Sequence, residues 1–233
     1  MQVKTDFIPS DFVPIDIHCH QIRPSNHLQI LSVDTHEPTQ EIIENCKTYF
    51  SIGIHPWFIE HQNIDIALQK LKSYRHHPKL AAIGECGLDK AIAAKLSLQT
   101  RVFEQQLELA EQWRKPLIIH CVRAFNELMQ IKKNSKSTLP WIIHGFNNNP
   151  ELAKQLLKQN CYLSFGKALL RDHSNAAQVL QSMPLDQLFL ETDDTREVSI
   201  SAIYDAAAKI TGLTVDALRQ QIFGNFNRVF FND

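Results

Sequence analysis

Eight short apolar runs punctuate the chain, each ending in polar or turn-forming residues. They are PIDIHCH (14–20), LQILSVD (28–34), TYFSIGIHP (48–56), LAAIGECG (80–87), PLIIHC (116–121), LPWIIHG (139–145), CYLSFG (161–166) and LFLETD (188–193). Runs of this kind read as buried strands. The segments between them mostly carry a helical period. In SLQTRVFEQQLELAEQW the residues Leu98, Val102, Leu107, Ala110 and Trp113 recur at roughly helical spacing. Asn149 and Pro150 read as a helix cap and first-turn proline, Gly212 as a C-terminal cap, and Thr214 as the cap of a following helix. Strands alternating with helices imply parallel pairing, and eight such units imply an α/β fold, a closed TIM-type (β/α)8 barrel. The 233 residues contain no repeat and no long linker, so one domain, 1–233, is expected.

One crossover is too short. Only seven residues, QIRPSNH, separate His20 from Leu28, whereas parallel strands are normally joined by a dozen or more. Seven extended residues reach roughly 23–25 Å, enough to return along the barrel as bare chain. The first barrel helix is therefore expected to be missing, replaced by a short loop. The strand surface it would have covered then needs the N-terminal segment, the C-terminal segment or a second subunit, which leaves a homo-oligomer open.

The formal net charge of −1 provides no basic field to attract a polyanion, so nucleic-acid contact would have to be local or mediated by cations. The five cysteines are scattered and form no CxxC, and the start of the chain lacks the apolar core of a secretory leader. No run has the length of a membrane span. A reducing, cytoplasmic setting without membrane association is expected.

The polar residues at the strand ends carry the chemistry. Side chains at i and i+2 of a strand share a face, so His18 and His20 project together with Cys19 opposite. They sit at the carboxyl end of the first strand, where barrel active sites are built. Paired neutral imidazoles are natural ligands for a divalent cation. A single strand-end histidine more often just finds a hydrogen bond. Here the pattern repeats, with His55, Glu85, His120, His144 and Asp193 ending five further strands and Asp34 ending the second. Convergence at one rim would crowd Glu85 and Asp193 at a desolvation cost that cations relieve. A metal site is the reading this repetition favours.

DIHCH, GIHPW, AIGECGLD, LIIHCVRA, IIHGF and LFLETD, in this order, resemble the successive signatures of the TatD family of metal-dependent deoxyribonucleases, within the amidohydrolase-like barrels. The similarity runs to the terminal FGNFNRVF. It implies two metals, with His18, His20 and Asp193 holding one, His120 and His144 the other, and Glu85 bridging. It also implies that His55 contacts phosphate or stands behind the ligands, and that phosphodiester bonds, DNA foremost, are hydrolysed. Asp193 would bind metal and accept the proton of the attacking water, and Glu85 would set the metal separation. Four imidazoles and two carboxylates suit Zn²⁺ or Mn²⁺ better than Mg²⁺.

No serine or cysteine nucleophile is required. Cys19, Cys86 and Cys121 adjoin proposed ligands, and alternation turns them away as small buried hydrophobes. Arg123 is read as a phosphate contact, with a solvated arginine as the plain alternative. Lys90 and Lys167 lie in rim loops as added positive charge or as solvated lysines. Trp57 and Phe146 offer either stacking surfaces for a base or ordinary loop packing. Two departures from the family flank the site. HCHQI replaces HCHLD, and Thr195 stands where proline is common after ETD. Both point to a reduced substrate wall. The alternatives are an amidohydrolase-type enzyme on a small amide, lactone or phosphoester, and a non-catalytic scaffold. Such amidohydrolases often bridge their metals with a modified lysine, where this chain has Glu85. A scaffold gains nothing from desolvated rim carboxylates.

Overall fold

The computed structural model describes residues 12–23 and 26–231. Among these, eight strands form one parallel sheet in chain order. They are β1 (Ile15–Cys19), β2 (Leu28–Asp34), β3 (Tyr49–Gly53), β4 (Leu80–Asp89), β5 (Leu117–Val122), β6 (Trp141–Ile143), β7 (Cys161–Phe165) and β8 (Leu188–Leu190). The helices are α1 (Thr39–Asn45), α2 (Ile64–Ser73), α3 (Leu96–Trp113), α4 (Phe125–Ser135), α5 (Pro150–Lys158), α6 (Asn175–Leu180), α7 (Ile200–Thr211) and α8 (Val215–Phe230). This is the (β/α)8 barrel expected from the sequence.

The seam between β8 and β1 is closed by a few specific contacts. A single parallel bridge joins Cys19 to Asp193. Asp193 N–H donates to His18 O at 2.9 Å and His20 N–H donates to Asp193 O at 3.2 Å. Below these, Asp16 supplies a side-chain rung, accepting from Thr192 N–H at 3.0 Å and from the Thr192 hydroxyl at 2.6 Å. Burial pushes the Asp16 carboxyl up to about 7, against these two hydrogen bonds. Asp193 lies beyond the end of β8, so the strand read as 188–193 is regular only to Leu190.

The local signals behave as their chemistry dictates. Asn149 caps α5 by accepting from Leu152 N–H, and Thr214 caps α8 through Ala217 N–H. Gly212 takes the left-handed conformation, φ 73°, that ends α7. β4 runs two residues further than read, to Asp89, and is buried throughout.

No helix follows β1 among the described residues of the short loop; residues 24 and 25, like 1–11, lie outside the described set. Most apolar side chains of β1 and β2 are nonetheless buried within this chain, Ile15, Ile17, Leu31 and Val33 among them, with Leu28 half-buried. Tyr204 of α7 exchanges hydrogen bonds with the backbone of Ile15, at 3.0 and 3.2 Å. Phe12, ahead of β1, packs edge-on against Phe223 of α8, centroids 5.3 Å apart. Segments of the chain itself, among the covers expected, thus serve this face.

Candidate metal centre

The strands that carry the charged rim are irregular where they carry it. The β1–β2 register slips by one residue between Asp16 and Cys19, and the β4–β5 register between Ile83 and Cys86. Each slip puts an extra residue on the strand bearing His18 or Glu85, and such bulges re-aim side chains. Gly84 and Gly87 flank Glu85 for a steric reason. A Cβ at Gly87 would lie 2.0 Å from His120 O, and one at Gly84 2.4 Å from Ile118 O. Their φ values of 147° and 145° are open only to glycine. The pair lets β4 press against β5 and brings Glu85 beside His120.

Glu85 is the centre of the cluster. Its Oε1 lies 2.8 Å from His144 Nε2, 3.0 Å from His120 Nδ1 and 3.0 Å from His55 Nε2. Its Oε2 lies 3.2 Å from His18 Nε2 and 3.4 Å from His20 Nε2. Asp193 Oδ1 is 3.6 Å from His18 Nε2 and 3.5 Å from His20 Nε2. Asp193 adopts φ 55°, a left-handed conformation that aspartate tolerates better than most residues. The six residues read as ligands, together with His55, therefore meet at the carboxyl mouth.

Burial alone would raise the pKa of Glu85, but the His144 and His18 charges and the hydrogen bonds from His120 and His144 outweigh it, holding the carboxyl well down. Asp193 is likewise lowered, by the neighbouring imidazoles of His18 and His20, which overcome burial. Burial works against charge on the imidazoles too, yet His20 is lifted to about 10 by Asp193 and Glu85, and His144 well up by Glu85 and Glu191. His55 goes the other way, because burial prevails over Glu85.

The outer partners fix which nitrogen faces inward. Asp89 Oδ2 lies 3.0 Å from His120 Nε2, so a proton held there would make Nδ1 the metal-facing nitrogen. Glu191 Oε1 lies 3.4 Å from His144 Nδ1 and accepts from Gly145 N–H at 2.7 Å, leaving His144 Nε2 inward. These two inward nitrogens are 3.5 Å apart. His55 Nδ1 accepts from Trp57 N–H at 3.1 Å, so its Nε2 carries a proton toward Glu85. Both ring nitrogens of His18 are buried without an aligned hydrogen bond, although Nε2 faces Glu85 Oε2 at 3.2 Å and Asp193 Oδ1 at 3.6 Å, a cost that a bound cation would relieve. Without their shared protons, these inward nitrogens would present lone pairs beside two carboxylates, a donor set that fits divalent cations. Three triads have ligand atoms close enough for one ion: His18–His144–Asp193, His18–His20–Glu85 and His55–Glu85–His120.

The other expectations sort themselves. Cys19 and Cys86 are buried and contact carbonyls of Ile30 and Ile118, and burial raises both thiols. Cys121 is pushed up to about 12 by burial. Lys90 pairs with Glu127 at 2.5 Å and Lys167 with Asp194 at 3.0 Å, so acids already offset the rim charge assigned to them. Arg123 lines a separate groove with Phe125, Asn126, Asn149 and Gln155 and is not among the residues of the metal-centred cavity. Phe146 is buried against Phe125 and Phe165, whereas Trp57 is 54% exposed. Sequence reading missed Asp16, Asp89 and Glu191. Each is an acid at or near an apolar run, a weak signal without its partner.

An eight-stranded parallel barrel with an imidazole–carboxylate cluster at its carboxyl rim defines the class, the metal-binding α/β barrels. Within it, the chain belongs to the family described as TatD related DNase, whose sequence model matches residues 18–231. An uncharacterised metal-dependent hydrolase of Bacillus subtilis is 34% identical over 149 residues, covering 62% of this chain and 58% of that protein. The 3'-5' RNA nuclease TATDN2 of Homo sapiens is 31% identical over 160 residues, covering 66% of this chain and 21% of that one. The matches thus span little more than half of the first relative and a fifth of the second. The crystal structure of the TatD homologue YJJV from Escherichia coli K12 superposes with a TM-score of 0.83 at 22% identity, over 94% of this chain and 98% of that one.

Proposed function

We propose that this chain is a metal-dependent phosphodiesterase acting on nucleic acid, DNA foremost, from a centre of two divalent cations. The observation that carries the reading is one carboxylate, Glu85, approached by five imidazoles at 2.8–3.4 Å beside a second carboxylate, Asp193. His18, His20 and Asp193 would hold one cation, His120 and His144 the other, with Glu85 shared. Bound cations of the Zn²⁺ or Mn²⁺ type lower the pKa of water and neutralise phosphoryl charge. The residues do the rest. Asp193, held ionised and partly exposed at the mouth, accepts the proton of the attacking water. His55 donates to Glu85 and keeps that carboxylate oriented. Asp89 and Glu191 hold His120 and His144 in the ligating tautomer. Arg123 takes a flanking phosphate from its neighbouring groove. The relatives' names support a nucleolytic substrate: one is an RNA nuclease and another, from Schizosaccharomyces pombe, a deoxyribonuclease.

We further propose a single-domain protein of the cytoplasm. All five cysteines are free, and no described helix is long and apolar enough to cross a membrane. Metal analysis together with turnover of DNA, RNA, a generic phosphodiester and small amides or lactones tests the function. Metal-dependent cleavage of DNA supports it. Metal with activity on amides or lactones alone replaces it with the amidohydrolase reading, and metal without turnover with the scaffold.

A further inference from the structure

The cavity above the metal centre has one aromatic wall, and that wall is held rigid. Trp57 and Phe58 line a space of about 300 Å³ together with Ser32, Asp34 and Glu37. The Trp57 indole N–H donates to Asp89 Oδ2 at 2.8 Å, and its backbone N–H donates to His55 Nδ1 at 3.1 Å. The ring stands nearly perpendicular to the imidazoles of His55 and His120, at 85° and 77°, with centroids 5.0 and 5.8 Å away. Phe58 is braced in turn by His36, stacked on it at 4.4 Å. Of the aromatics beside the rim histidines, Phe146 is absorbed into the core while Trp57 leaves half its surface in water. A packing role does not need that exposure, and the hydrogen bond from its indole N–H to Asp89 fixes a ring that still faces solvent.

We infer that Trp57 is the surface on which the nucleobase next to the scissile phosphodiester stacks. This rests on the phosphodiesterase reading and names the part of the substrate it leaves open. A ring already fixed in place loses little freedom when a base lands on it, and stacking tolerates any base because each has a π-face. The volume lies at the lower end of small-molecule sites, which suits one nucleotide. Ser32, only 8% exposed, lines the same cavity with a hydroxyl that can meet a base edge.

The test compares a short single-stranded oligonucleotide with its abasic counterpart, which has the same backbone and no bases, in the wild-type protein, Trp57→Phe and Trp57→Ala. The wild type is expected to favour the base-bearing strand, chiefly through KM. Trp57→Ala is expected to lose about tenfold of that preference, and Trp57→Phe, which keeps a stacking face, most of it to retain. Equal losses on both substrates, or no wild-type preference, overturn the inference and leave Trp57 as a brace for Asp89. If neither strand is cleaved, the phosphodiesterase reading falls, and tryptophan fluorescence with dAMP decides the inference separately. Quenching that is present in the wild type and absent in Trp57→Phe supports base binding, since Trp141 is fully buried and Trp113, at the end of α3, is not among the residues lining the cavity. No quenching overturns it.

Discussion

At the scale of single residues, the inward groups and the groups behind them have different jobs. Asp193 has its carboxylate partly open to the mouth and its pKa lowered. Asp193→Asn keeps shape and loses basicity, so kcat on a generic phosphodiester should fall at least about 100-fold. Its circular dichroism spectrum should match that of the parent. An undiminished rate removes Asp193 from the chemistry. Glu191 touches no substrate space. It is fully buried and meets His144 Nδ1 and Gly145 N–H. Glu191→Gln should weaken metal affinity roughly 10–100-fold by releasing the tautomer of His144, read by competition with a chelator dye. The inward set was legible in the sequence because strand ends place side chains predictably. Asp16, Asp89 and Glu191 were not, because their roles depend on partners up to 176 positions away. Arg123 shows the converse limit. Its motif suggested a phosphate contact but could not show that it lines a groove apart from the metal-centred cavity.

At the scale of elements, eight strands were readable from apolar runs, but their irregularities were not. The bulge at Gly84–Cys86 depends on β4 meeting β5, a pairing that no window of residues contains. Gly87 is where this can be tested. An alanine there meets His120 O at 2.0 Å and takes a φ of 145° that side chains avoid. Gly87→Ala should cost about 2 kcal/mol or more, measured by urea unfolding, and should displace His120. A cost below half of that would mean β4 does not press on β5 as described. The short first loop has a second consequence. Arg23 reaches across the seam to the carbonyls of Thr195 and, at 2.5 Å, Val198, while Gln29 pairs with its backbone at 3.2 and 2.9 Å. The two segments that depart from the family pattern are thus stapled to each other beside Asp193. Arg23→Ala should loosen 194–198, seen as faster amide exchange there with helix α5 unchanged. Equal exchange in both proteins would refute the staple.

At the scale of the whole molecule, the barrel focuses charge from six strands and the seam onto one mouth, so protons and cations compete for the same place. The competition sets how stability depends on pH. In the metal-free protein His20 is lifted from 6.5 to about 10, and His144 and His18 are also raised despite burial. A base bound more tightly when protonated in the fold stabilises fully below its unfolded pKa and loses that contribution as pH rises through the folded one. The cluster should therefore lend most stability between about pH 4.5 and 6.5, above the unfolded carboxylate values and below that of histidine. It should lend less as pH climbs toward 10. Glu85 and Asp193, both lowered, withdraw their share only in acid below the ordinary carboxylate range. Cations need the imidazoles deprotonated, so their binding releases protons and strengthens as pH rises. Chelator-treated protein should thus melt at progressively lower temperature above pH 6.5, while the rise in melting temperature on adding Mn²⁺ grows over the same interval. An Mn²⁺ increment that stays flat or shrinks from pH 6.5 to 8.5 would mean that the protons bound by this cluster and the cations it is built to hold occupy different places.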